Sequence, residues 1–124
     1  MTRWILATML AMLIPPGGAR AATTYACNMN ALTRTERAAH TERSRLLLGR
    51  VEKRRELPGG YAFRLPAGTL VDAAEWVSLE RRCCPFFAFA IECAGERGPV
   101  WLSVTGGAGI KPFIRAEFGL DDAH

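Results

Sequence analysis

Two periods of apolar and polar positions run along this chain, and the switches between them mark out seven elements. The segment LTRTERAAHTERSRLLLGR, Leu32 to Arg50, is heavily charged. Leu32, Ala39 and Leu46 form a thin apolar stripe, which predicts a helix that covers the core from one side only. Thr33 and Glu36 fit a reciprocal helix cap at its start, and Gly49 suits its end. RVEKRRELPGGYAFRLP then reads as a hairpin turning at Pro58-Gly59-Gly60. Tyr61, Phe63 and Leu65 alternate with Ala62 and Arg64 as in a half-buried strand, while the charged arm Val51 to Leu57 suits a sheet edge.

GTLVDAAEWVSLERRCC predicts a second helix, with Thr69 and Asp72 as its cap and Pro85 as its stop. Ala73, Trp76, Val77, Leu79 and Cys83 give it a broad apolar side. Phe87, Phe89, Ile91 and Cys93 share one face of a strand, and Val100, Leu102 and Val104 share one face of the next. A loop from Gly95 to Gly98 joins them as a second hairpin. AGIKPFIRAEFGL closes the chain as a short helix, with Ile110, Phe113 and Ile114 inward and Gly119 past its end. The order α-β-β-α-β-β-α, two αββ units, predicts an α+β fold: a four-stranded antiparallel sheet with helices packed on one face.

The first 21 residues change the domain picture. Arg3 supplies a positive start, WILATMLAMLI an apolar run from Trp4 to Ile14, and Ala19-Arg20-Ala21 an A-x-A cleavage site. Eleven residues rise only about 16 Å as a helix, too little for a hydrocarbon core of about 30 Å. The expected division is a signal peptide over 1–21 and a single small α+β domain over 22–124. The expected location is periplasmic or secreted, and the alternative is a cytoplasmic chain whose N-terminus packs on the domain. Cleavage removes Arg3 and Arg20 and lowers the formal charge from +4 to +2. The basic cluster Arg50, Lys53, Arg54 and Arg55 is interrupted by Glu52 and Glu56 and has no interleaved aromatics, so no nucleic-acid partner is expected. No membrane association is expected after cleavage.

The chemistry lies in four cysteines: Cys27, Cys83, Cys84 and Cys93. In an oxidising compartment they allow three complete pairings. Cys27 precedes the first helix and the Cys83-Cys84 pair ends the second, so antiparallel helices would bring them together, either as a disulfide or as a three-thiol site. Cys27, Cys83 and Cys84 are the candidate metal ligands, with Cu(I), Zn(II) or Hg(II) as the soft ions that sulfur selects. His40 is a candidate additional ligand, although a lone histidine on a charged helix more often does nothing. Arg81 and Arg82 favour thiolates, whereas the negative end of a helix opposes them, and the sequence does not rank the two. Cys93 fits core packing. TGGAGIK, Thr105 to Lys111, could receive an anion but lacks phosphate-loop spacing. Glu75, Glu80 and Glu92 show no histidine or serine partner, so no catalytic residues and no other cofactor are assigned.

CNMNALTRTER, LPGGYAFRLP, EWVSLERRCCPFFAF and GGAGIKPFIRAEF together resemble a family of small uncharacterised bacterial proteins, over most of Cys27 to Phe118. ERRCCPFF is the most distinctive piece. The resemblance implies no activity and no catalytic residues. The expected function is therefore binding rather than catalysis: a small exported protein that holds copper, zinc or mercury through its cysteines, for sequestration or for transfer to a partner protein. The alternatives are a thiol-disulfide redox protein using the same cysteines, and an inert structural or protein-interaction domain.

Overall fold

The computed structural model describes residues 24–122; the signal peptide expected over 1–21 lies outside the described residues. Among the described residues no helix is long and apolar enough to cross a membrane. Seven elements follow in the expected order: α1 (Arg34–Leu48), β1 (Lys53–Leu57), β2 (Gly60–Leu65), α2 (Leu70–Cys83), β3 (Ala88–Cys93), β4 (Val100–Thr105) and α3 (Ile110–Glu117). The four strands pair antiparallel in the order β1-β2-β4-β3, so the charged β1 is an edge strand as its composition predicts. The fold class is α+β.

Register builds the core. Tyr61 pairs with Val104 and Phe63 with Leu102 across β2 and β4, while Phe89 and Ile91 of β3 pair with the same two β4 residues. Tyr61, Phe63, Leu65, Val100, Leu102 and Val104 are all buried on the helix-facing side. Ile110 and Ile114 of α3 and Ala73 and Trp76 of α2 close over them. The ring of Trp76 meets Phe89 edge-on at 5.8 Å. Gly60 lies against the β4 backbone, and a Cβ there would lie 2.0 Å from the Val104 carbonyl oxygen. Gly109, at φ 79°, provides the left-handed residue that starts α3.

The helix α1 differs in rotation from the expected stripe. Thr33 and Glu36 form the full reciprocal cap, and Leu32 is buried, but Ala39 and Leu46 are exposed. His40 and Leu47 face inward instead. The face turns by one residue because α2 offers polar partners there: Trp76 Nε1 donates to Ser44 Oγ at 2.8 Å, and Glu80 meets His40. At the start of α2, Thr69 makes no side-chain cap. Its hydroxyl donates back to Pro66 O at 2.7 Å within a short 3-10 turn. Cys93 does not pack in the core. It shares a face with Phe89 and Ile91 as expected, but it ends the outer edge strand and is exposed.

Candidate metal centre

The C-terminal end of α2 places Glu80, Cys83 and Cys84 on consecutive turns. Spacings of three and four bring residues onto one helix face, so the glutamate lies under both cysteines. Cys83 is the last helical residue and Cys84 the cap, where φ −124° and ψ 68° leave the helix. This break lets the two neighbours converge, with their Sγ atoms 3.6 Å apart. Both are about 1 % exposed.

Cys27 arrives from the N-terminal segment and forms a disulfide with Cys84. The candidate trio Cys27, Cys83 and Cys84 is thus gathered in one place, with two of its sulfurs bonded to each other and Cys83 free. The segment is also held without the bond. The Asn28 amide donates to Cys83 O at 2.7 Å, satisfying one of the carbonyls that a helix end leaves open. Tyr25 packs on Phe86 and Phe113 and donates its hydroxyl to Ala108 O at 2.7 Å. That contact gives the Thr105–Lys111 glycine loop a structural task, and Lys111 is engaged with Glu56. Cys27 is therefore tethered on both sides of its own position.

Two residues behave differently from expectation. His40 is not an exposed bystander: it is 3 % exposed, lies parallel to the Trp76 ring at 6.0 Å, and its Nε2 is 2.5 Å from Glu80 Oε2. Glu80, read as a scattered acid without a histidine partner, is 6 % exposed and is the hub of the cluster. Its Oε1 lies 3.4 Å from Cys84 Sγ, and its Oε2 lies 3.9 Å from Cys83 Sγ. The signal that could have found it was its helical spacing from the two cysteines. Two sets of potential ligand atoms result, Cys27/Glu80/Cys84 and His40/Glu80/Cys83, each with its atoms within 4.8 Å of one another.

The structure ranks the opposing influences on the thiol. Arg82 turns away to Glu36, at 2.6 Å, and to Ala31 O. Burial, and next the Glu80 carboxylate, push the Cys83 thiol up to about 11. Burial, followed by the charge of Glu80, also raises Glu117 of α3. The region thus gathers acids and sulfur with little positive compensation, and its donor types suit a cation that accepts S, O and N ligands. The disulfide fits an oxidising compartment. Comparison with known protein families, with curated proteins and with solved structures finds no match to this chain.

Proposed function

We propose that this chain is a small exported module that holds a thiophilic metal ion (copper, zinc or mercury) for sequestration or for transfer to a partner protein. Cys83, with Cys27 and Cys84 after reduction of their bond, supplies the sulfur, and Glu80 adds carboxylate. Reduction takes two electrons and two protons from a dithiol and leaves two thiols; the ion then displaces thiol protons as it binds. The observation that carries this reading is the convergence on one helix end of Cys83 Sγ, 3.6 Å from Cys84 Sγ, with Glu80 Oε1, 3.4 Å from Cys84 Sγ. The tethers at Tyr25 and Asn28 support it, because they keep Cys27 nearby once the bond opens. The disulfide supports a periplasmic or secreted location.

A thiol beside a disulfide also has the layout of an exchange centre, which favours the redox reading. Exchange needs an accessible thiolate, however, and Cys83 is about 1 % exposed with its thiol raised to about 11. Metal binding is the better supported of the two. The test is stoichiometry: reduced protein, desalted without oxygen, binds one Cu(I), Zn(II) or Hg(II) per chain by native mass spectrometry. Cys83→Ser and Cys84→Ser lose that ion, and Cys93→Ser keeps it. Parent-like binding in a Cys83→Ser/Cys84→Ser double variant would sink the proposal.

A further inference from the structure

We infer that the two ligand sets are alternatives selected by the Cys27–Cys84 bond. With the bond intact, His40 Nε2, the Glu80 carboxylate and Cys83 Sγ form a mixed site for a borderline divalent ion such as Zn(II). With the bond reduced, the sulfurs of Cys27 and Cys84 join Cys83 and convert the same place into a site for softer ions. The reduced half rests on the function proposed above; the disulfide half does not.

The mixed set needs neither disulfide cysteine. Its three residues come from rigid helices, His40 from α1 and Glu80 and Cys83 from α2, and each is more than nine-tenths buried. Around tetrahedral zinc, donors at about 2.0–2.3 Å from the metal lie roughly 3.3–3.8 Å from one another. The His40–Glu80 edge is 2.5 Å and Cys83 Sγ is 3.9 Å from the same carboxylate oxygen. Entry of an ion therefore requires the first edge to open by about 1 Å and the sulfur to hold nearly its present place.

The histidine's second ring nitrogen is uncommitted. Its Nδ1 is buried and has no protein hydrogen-bond partner. When a metal takes Nε2 the ring proton sits on Nδ1; this breaks no protein contact, but the buried N–H has no protein acceptor and so costs part of the affinity. A cavity of about 190 Å³ reaches the cluster, lined by His40, Thr41, Ser44, Trp76, Glu80 and Glu117 among others. It gives an approach path, and Glu117 offers another oxygen near Glu80.

The selection follows from ligand softness. Zinc accepts imidazole, carboxylate and one thiolate together, whereas Cu(I) and Hg(II) favour sets dominated by sulfur. Reduction, by a dithiol that is itself oxidised to a disulfide, leaves Glu80 in both sets and raises the available sulfurs from one to three.

The experiment uses the full exported chain, with its disulfide confirmed by mass. Zn(II) binding is measured by chelator competition, and Co(II) serves as a spectroscopic stand-in. The disulfide form is expected to bind one Zn(II), to show a thiolate-to-Co(II) charge-transfer band, and to bind no Cu(I). Cys83→Ser should lose the band, and His40→Gln should weaken Zn(II) by at least about 10–100-fold. After dithiol reduction and desalting, Cu(I) binding should appear. A disulfide form that binds no Zn(II), or shows no thiolate band with Co(II), overturns the inference on parent protein alone, whatever the variants do. If reduced protein still takes Cu(I) or Hg(II) in that case, the function proposed above survives. If the disulfide form binds Zn(II) and reduction brings no softer ion, the selection is overturned; the function proposed above falls with it only if the reduced protein binds no Zn(II) either.

Discussion

Cys83 shows how one neighbour decides a side chain's chemistry. The arginines next to it in sequence would favour a thiolate, but Arg82 is spent on Glu36, and burial with Glu80 leaves the thiol raised to about 11. At pH 8 a thiol at 11 is ionised in about one molecule in a thousand, roughly a hundredfold fewer than one at 9. Mass-mapped iodoacetamide labelling of the folded protein at pH 8 should therefore mark exposed Cys93 first and spare Cys83 until denaturant is added. Equal labelling of both would show that Cys83 is accessible and ionised, and would revive the exchange reading. His40 and Glu80 carry the complementary lesson. Their pairing spans forty positions, and nothing local to either residue announces it.

At the scale of elements, α1 and α2 are clasped at the end that carries the sulfurs. Arg82 bridges from α2 to Glu36, which Thr33 also holds in the α1 cap, and chiefly the Arg82 hydrogen bond lowers the Glu36 carboxyl from 4.5 to about 2. A carboxyl lowered in the fold contributes stability above its unfolded pKa, and that contribution is lost as pH falls from about 4.5 towards 2. Glu36→Gln should flatten the dependence of Tm on pH across this window, and salt should shrink the difference because the pair is exposed. An unchanged slope would mean that the clasp contributes nothing to stability. The same elements show where reading the sequence works. The Thr33/Glu36 cap and the Tyr61-Phe63-Leu65 and Val100-Leu102-Val104 alternations are local patterns, so they were legible. The rotation of α1 was not, because partners on α2 turn His40 inward rather than Leu46. The exposure of Cys93 was not either: its face was right, but only the strand order β1-β2-β4-β3 makes its strand an edge.

Across the whole molecule, the disulfide joins positions 57 residues apart. Loop-closure entropy gives such a bond about 4 kcal/mol. For a domain of about 100 residues, that loss on reduction lowers Tm by roughly 15–30 °C. An ion that binds only the folded reduced chain, at a thousand times its Kd, restores about 4 kcal/mol. Calorimetry of disulfide, reduced, and reduced-plus-Hg(II) protein should thus show Tm falling and then recovering. Recovery that is absent at saturating metal would argue against a folded thiol site. The negative end of α2 also matters beyond its own helix. The body around it has a small formal excess of positive charge, +2 without Arg3 and Arg20, while Glu80, Glu117 and the sulfurs crowd one spot. Soft metals in salt water travel largely as chloride or thiolate complexes, many of them anionic. Under the proposed function, an anionic complex would be drawn towards the net positive body and would then meet carboxylates that repel its anions, so one uneven charge distribution would both attract the cargo and help to strip it.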